Sequence, residues 1–215
     1  SANLIKVWAY PGEYPVITFN SDNPGIALTG NYINFKSIEI NGLTTISDWT
    51  NAGNGIYSKV VTSQSPANMV TVNGVNTPMG RYPNADAANS GYLTIDSHSG
   101  STSITDAALP ASPSWTGGEV VVRRSTWVLD RCVITDHTSH TLTYAPYSGA
   151  VTSAPIDGNG YFIQNNINAL DQLGEWYYNG TTLYMYFGSN NPASFTVKMS
   201  VIDDLLNVTG CDNVS

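Results

Sequence analysis

The chain has 215 residues, 41% of them hydrophobic and only 11% charged, and 8 Lys and Arg against 16 Asp and Glu give a formal net charge of -8. This apolar content offsets the entropy of ordering, which excludes a disordered chain. So few cations cannot form the basic groove that a phosphate backbone needs, which excludes a nucleic-acid partner. No run approaches the roughly 20 apolar residues of a membrane-spanning helix, so no membrane span is predicted.

The N-terminal part, residues 1–42, predicts rungs of a parallel β-helix. Its strand-like runs are short, rich in Val, Ile and aromatic residues, and separated by tight corners of Gly, Pro, Asn and Asp. Short strands between tight corners are typical of a solenoid, in which each coil adds one strand to each of three parallel sheets.

The middle, residues 43–198, predicts an antiparallel β-sandwich inserted between two coils. Asn73-Gly74 and Asn179-Gly180 each lie between runs of strand-forming residues and predict the tips of two hairpins. Two further strands are predicted at Glu119–Arg124 and Trp127–Thr135.

The C-terminal part, residues 199–215, predicts a return to the β-helix. Leu206–Ser215 can be aligned with Ile26–Phe35, with apolar residues at the first and third places of both, followed by Thr-Gly. The alternative is a chance match between two Thr- and Gly-rich strings. If the match holds, the chain stops early in the next strand, and we expect either a fragment or one member of an assembly whose other chains complete the open solenoid.

Several strings resemble a known group of proteins. Pro11–Ile17 and Gly30–Ile33 resemble early coils of secreted bacterial right-handed parallel β-helix proteins of the pectate-lyase-like kind. Arg81-Tyr82-Pro83-Asn84 and Gly174–Tyr178 resemble the β-sandwich inserted in that group, which includes β-helical glycoside hydrolases such as a β-xylosidase family.

The resemblance implies an all-β fold, with incomplete right-handed parallel β-helix rungs at both ends and an inserted antiparallel sandwich. It also implies a secreted or cell-surface location and a polysaccharide or oligosaccharide partner. In such hydrolases the catalytic carboxylates are expected on coils after the insertion. We therefore assign no catalytic residue to this chain.

Four residues are candidates for carbohydrate binding. Trp115 lies in a Pro-, Ser- and Gly-rich loop and is predicted to be exposed, where its ring could stack on a sugar. Arg81 is a lone cation that could face a substrate carboxylate or hydroxyl; the alternative is that it binds turn carbonyls. Asp171 and Glu175 are the nearby carboxylates that a glycosidase would need as a pair, although Glu175 also fits a turn carboxylate that accepts backbone hydrogen bonds.

No cofactor or metal site is predicted. The chain has no Gly-x-Gly-x-x-Gly sequence and no nucleophile elbow, and His137 and His140 fit an exposed turn better than a metal site. Cys132 and Cys211 could form a disulfide in an oxidising compartment, and two buried free thiols are at least as common in proteins.

The sequence thus favours a fragment of a secreted or cell-surface carbohydrate-active protein, built on a glycoside hydrolase or polysaccharide lyase scaffold and inactive by itself. The alternative is a non-catalytic adhesin, a structural surface protein, or a subunit of a filament or secretion assembly.

Overall fold

The computed structural model describes residues 42–62, 67–146 and 153–201 in full, and the backbone of six short strands outside these ranges. The strands of the N-terminal half are β1 (Ile5–Trp8), β2 (Val16–Thr18), β3 (Ile26–Leu28), β4 (Ile33–Lys36), β5 (Glu39–Asn41), β6 (Leu43–Ile46), β7 (Thr50–Gly53), β8 (Ile56–Val60), β9 (Val70–Val72), β10 (Val75–Thr77), β11 (Arg81–Tyr82), β12 (Leu93–Thr94), β13 (Ser97–Ser99) and β14 (Ser103–Thr105). Those that follow are β15 (Glu119–Ser125), β16 (Val128–Thr138), β17 (Thr141–Pro146), β18 (Gly160–Gln164), β19 (Trp176–Tyr178), β20 (Thr182–Tyr186), β21 (Val197–Ser200) and β22 (Leu206–Val208).

The described helical segments are short. One helical turn spans Ala88–Gly91, and two 3-10 turns span Ile167–Ala169 and Pro192–Ser194. None of the helices in the described ranges is long and apolar enough to cross a membrane. The predicted all-β class is confirmed.

The described parts of the two ends form three two-stranded parallel pairs, of which one joins the N-terminal part to the C-terminal part. β1 pairs with β4, β2 with β5, and β3 with β22. In the last pair Leu206 lies opposite Ile26 and Val208 opposite Leu28, which is the register that the sequence alignment predicted. The chain therefore leaves this parallel region after β5 and returns to it at β22.

A β-sandwich occupies part of the central region. Its first sheet has the strand order β10-β9-β21-β6 and its second the order β19-β20-β8-β7, and all of these neighbours are antiparallel. Alternation along β20 shows how the core forms: Leu183 and Met185 are fully buried, while Tyr184 between them is partly exposed. The core between the two sheets contains Ile46, Val61, Ala67, Val70, Trp176, Tyr178, Leu183, Met185, Phe187, Val197, Met199 and Val201.

Both predicted hairpins are present in the sandwich. Asn73 and Gly74, with φ of 51° and 81°, connect the paired residues Val72 and Val75, as a type I′ turn requires. The second hairpin has a longer loop, because its last pair is Tyr178 with Leu183. Its Asn179 side chain accepts hydrogen bonds from the backbone N–H groups of two loop residues, Thr181 and Thr182, at 3.0 and 2.8 Å.

A second structure, an eight-stranded antiparallel sheet, is inserted in the chain between two strands of the sandwich. Its order is β11-β18-β15-β16-β17-β14-β13, and β12 also pairs with β18. The chain enters it after β10 and leaves it before β19. It has its own core, built from one face of the sheet and the loop of residues 106–118: Ile95, Ile104, Leu109, Trp115, Val120, Val122, Cys132, Ile134, Leu142, Tyr144, Tyr161, Ile163 and Ala169. The antiparallel region thus holds two separate cores, where the sequence predicted one sandwich.

Candidate ligand-binding cleft

Glu175 lies at the junction between the sandwich and the eight-stranded sheet. Its side chain is buried, with 3% of the residue exposed. One carboxylate oxygen accepts hydrogen bonds from the backbone N–H groups of Asp171 and Gln172, both at 2.9 Å, and the other accepts one from Arg81 at 3.4 Å. Burial raises the pKa of Glu175, although these three hydrogen bonds act against the rise. The alternative reading of Glu175, a turn carboxylate that accepts backbone hydrogen bonds, is confirmed.

Arg81 and Asp171 are engaged at the same junction. The Arg81 guanidinium lies over the Phe162 ring, 3.8 Å from its centroid, and donates hydrogen bonds to the carbonyl oxygens of Ser90 and Gly91. Desolvation by burial lowers the pKa of Arg81. Asp171 accepts a 2.8 Å hydrogen bond from the Asn84 side chain. Arg81 therefore binds turn carbonyls, as the alternative reading held, and a sugar contact at Arg81, Asp171 or Glu175 stays a prediction.

Trp115 is buried, and the prediction that it is exposed was wrong. Only 1% of the residue is exposed, and its ring stacks on that of Tyr82 with centroids 4.9 Å apart. The reason is that, among the described residues, no second sheet packs on the inner face of the eight-stranded sheet. The polar loop of residues 106–118 folds over that face instead, and Trp115 fills the space beneath the loop.

Of the two cysteines of the possible disulfide, only Cys132 is a described residue. Cys132 is buried in the core of the eight-stranded sheet, and burial raises the pKa of its thiol. Cys211 lies outside the described residues, so the bridge stays a prediction. Asp203 and Asp204, two carboxylates that are adjacent in the sequence, also lie outside them. Within the described ranges, no group of three or more His, Cys, Asp or Glu side chains is placed to hold a metal ion.

An open cleft of about 650 Å³ lies at one edge of the sandwich. β6 and β7 are the edge strands of the two sheets on this side, and the turn Ser47–Trp49 crosses between them. The connection from β20 back to β21 crosses between the sheets at the same place and supplies residues 189–193, 195 and 196. The cleft therefore forms where two crossing loops meet beside the open edge of the core.

The cleft has an aromatic wall. Trp49, Tyr57 and Phe195 line it, and each is partly buried. All three contact the fully buried ring of Phe187, with centroids 5.2, 5.7 and 5.6 Å away. Because one buried ring fixes the three others, little side-chain entropy remains to be lost when a ligand binds.

Around this wall the lining groups are mostly neutral hydrogen-bonding groups. Thr45, Ser47, Ser189 and Thr196 contribute hydroxyls, and Asn190 and Asn191 contribute amides. The Asn190 amide nitrogen donates to the Phe187 carbonyl at 2.8 Å, and the Asn191 oxygen accepts from the Ala193 backbone at 3.0 Å. Each amide is thus fixed through one end, which leaves its other end for a ligand.

The cleft contains a single carboxylate. Asp48 is the one acidic residue among those that line it, its side chain is 85% exposed, and Lys59 lies 3.5 Å away. Cleavage of a glycosidic bond in the usual mechanisms requires two carboxyl groups, one as acid and one as nucleophile or base. The described residues that line the cleft therefore have the chemistry to bind a polyhydroxylated ligand, and they supply one carboxylate of the pair that these mechanisms use.

Sequence reasoning missed this cleft. A local signal exists at Ser47-Asp48-Trp49, where an aromatic residue follows two turn-forming residues between strands. No local signal shows that residues 45–57 meet residues 189–196, because that contact depends on how the two sheets stack.

Neither a protein-family model nor a curated protein matches the sequence. A solved structure described as "Glycoside hydrolase" is similar in fold, with a TM-score of 0.55 and 14% sequence identity. The match covers 85% of this chain and 37% of that structure's chain, so the chain spans little more than a third of its neighbour's length. At this identity the likeness concerns the fold: an all-β protein that is similar to part of a glycoside hydrolase.

Proposed function

We propose that the chain is a carbohydrate-binding part of a secreted or cell-surface carbohydrate-active protein, and that its cleft binds an oligosaccharide or a segment of a polysaccharide without cleaving it. The observation that carries the proposal is the rigid aromatic wall of Trp49, Tyr57 and Phe195 facing hydroxyl and amide groups. Sugar rings present the matching chemistry, since their C–H faces stack on aromatic rings and their hydroxyls bond to amides.

Two further observations support the setting of this site. The three parallel strand pairs are those expected of a right-handed parallel β-helix interrupted by an insertion. The structural neighbour is described as a glycoside hydrolase. The proposal therefore places the cleft on an insertion that emerges from a β-helix, where solenoid proteins often carry their binding faces.

Affinity for a short sugar should be weak. Each well-placed aromatic contact contributes about 0.5–1.5 kcal/mol, and each neutral hydrogen bond a similar net amount. Two or three contacts of each kind correspond to a Kd of about 1 mM. Longer oligosaccharides bind more tightly if they extend along the open cleft.

The test is calorimetric or NMR titration of the chain with neutral xylo- and galacto-oligosaccharides. Trp49→Ala should weaken binding about tenfold, the equivalent of about 1.4 kcal/mol. Trp49→Phe retains a ring and should lose less. Val75→Ala removes an apolar side chain that is 68% exposed and lies outside the cleft, and it is the control.

Circular dichroism should first show that each variant is folded. Unchanged binding by folded Trp49→Ala would refute the cleft as the site. Failure of the parent chain to bind any neutral sugar of the panel would refute the proposed function, and measurable hydrolysis would refute its non-catalytic character.

A further inference from the structure

The tip of the β15–β16 hairpin exposes apolar side chains. Thr126 and Trp127 form its turn, between the paired residues Ser125 and Val128. Trp127 is 87% exposed, and beside it Leu129 is 55% and Val128 42% exposed. By contrast Trp115 and Trp176 are almost fully buried. A large indole ring at a hairpin tip contributes nothing to either core, which makes its exposure a candidate for a binding role.

A cation is fixed at the turn that carries this ring. Arg123 is exposed, lies directly opposite Leu129 in the ladder, and donates a 3.1 Å hydrogen bond from its guanidinium to the carbonyl of Thr126. Its own carbonyl accepts a 2.9 Å hydrogen bond from the Asn159 side chain. The guanidinium is therefore positioned at the base of the turn that carries Trp127.

Arg123 differs from the other two arginines of this hairpin in its partners. Arg124 forms an ion pair with Asp130, and Arg131 pairs with Glu119 at 3.0 Å. Among the described residues, no carboxylate lies within ion-pairing distance of Arg123. The tip thus combines an exposed ring with an unneutralised guanidinium, in a chain whose formal net charge is -8.

The size of the patch indicates what it can bind. An indole contributes on the order of 200 Å² and the two partly exposed aliphatic residues less, which is well below the roughly 800 Å² per partner of a stable protein interface. Three apolar side chains on a chain of net negative charge are also a weak anchor on an anionic membrane surface. One face of the indole does match one sugar ring, and a guanidinium matches a carboxylate or sulfate.

We propose that Trp127 and Arg123 form a second glycan-binding site, for anionic polysaccharide: a sugar ring stacks on the indole, and a carboxylate or sulfate group of the same chain pairs with the guanidinium. This rests on the carbohydrate binding proposed above and adds both a second location and a class of ligand. The neutral cleft and the cationic tip then divide neutral and anionic sugars between them.

The experiment titrates the whole chain with four probes: a uronate oligosaccharide, the same oligosaccharide with its carboxylates methyl-esterified, a sulfated galactan oligosaccharide, and a neutral xylo-oligosaccharide. Charge-assisted hydrogen bonds predict that the uronate binds at least threefold more tightly than its ester. Trp127→Ala should weaken uronate binding, and Arg123→Gln should abolish the preference over the ester. Arg123→Lys should retain part of it, and raising the salt concentration should reduce it.

Two controls isolate the tip. Val75→Ala removes an apolar side chain that is 68% exposed from the β9–β10 hairpin, and it should leave the binding of all four probes unchanged. Trp49→Ala should weaken xylo-oligosaccharide binding and leave the preference for uronate over its ester intact. If the sulfated probe alone shows the dependence on Arg123, the anionic ligand is sulfated; if the uronate alone shows it, the ligand carries carboxylates.

Equal uronate binding by the parent chain, Trp127→Ala and Arg123→Gln would overturn the site. Loss of uronate binding in Trp49→Ala alone would also overturn it while leaving the cleft proposal intact. Conversely, failure of the cleft to bind neutral sugars, together with uronate binding that depends on Trp127, would refute the cleft and retain the tip. The proposal would also be overturned if the chain binds no glycan and Trp127→Ala instead reduces another interaction. Reduced self-association would assign the tip to a protein contact. Reduced binding to phosphatidylcholine–phosphatidylglycerol vesicles would assign it to a membrane.

Discussion

Replacing Glu175 by Ala should destabilise the chain strongly, because this carboxylate holds the two sheet systems together. The substitution removes the acceptor of two hydrogen bonds of 2.9 Å, from the backbone of Asp171 and Gln172, and of a third of 3.4 Å from Arg81. Each buried donor left without an acceptor costs about 1–3 kcal/mol. The cost is reduced because the carboxylate itself is desolvated, as its raised pKa indicates.

We expect the free energy of unfolding to fall by about 2–4 kcal/mol, a large part of the roughly 5–15 kcal/mol that stabilises a typical domain. For a chain of this length, each kcal/mol corresponds to about 2–4 °C in Tm. Urea unfolding followed by tryptophan fluorescence, with far-UV circular dichroism as a second probe, measures the change. The two probes should give the same midpoint if the two cores unfold together.

Two variants serve as references. Asp171→Ala removes an exposed carboxylate with one side-chain hydrogen bond and should cost less than about 1 kcal/mol. Glu175→Gln keeps an oxygen that can accept the two short bonds, and its cost should lie between those of the two Ala variants. If Glu175→Ala costs no more than Asp171→Ala, the junction does not depend on this carboxylate and the reasoning fails.

Two other predictions follow from burial. Burial raises the pKa of Glu175 in the folded chain, so the folded state binds this proton more tightly than the unfolded state. The stabilising contribution of the group is therefore full below the usual Glu pKa of about 4.3 and is lost as pH rises through the folded pKa. The stability of the parent chain relative to Glu175→Gln should increase as pH falls from 7 toward 4, and a pH-independent difference would contradict this. Trp115→Ala should lower the free energy of unfolding in urea by about 3–5 kcal/mol, because it empties the space beneath the loop. Trp127→Ala should change it by no more than about 0.5 kcal/mol. Similar costs for the two substitutions would contradict the assigned burial of these tryptophans.

Local sequence features predicted the strands and turns well because they depend on the backbone preferences of a few neighbouring residues. Asn73-Gly74 adopts the positive φ angles that its turn requires, which Asn and Gly reach at little cost. The alignment of Leu206–Val208 with Ile26–Leu28 predicted their parallel pairing, since equivalent residues of successive coils stack. The alternative role given to Glu175 was correct for a similar reason: a carboxylate just after a turn can reach the N–H groups of that turn.

Exposure could not be predicted in the same way. The sequence suggested an exposed Trp115 in its polar loop and a Trp127 at the start of a strand, and the structure buries the first and exposes the second. The composition of a loop does not show whether the loop must cover an open sheet face. A tryptophan near a strand end can equally belong to the turn, and only the pairing of Ser125 with Val128 assigns Trp127 to the tip.

The sequence by itself therefore determined the all-β class, the hairpin turns and the register in which the two ends of the chain meet, because each follows from local backbone preference or from repetition. Only the tertiary structure decided that the described antiparallel region has two cores, that Trp49 and residues 189–193 line one cleft, and that no described carboxylate pairs with Arg123 at the turn of Trp127. These features depend on which sheet faces cover each other, and that is a property of contacts between residues far apart in the chain.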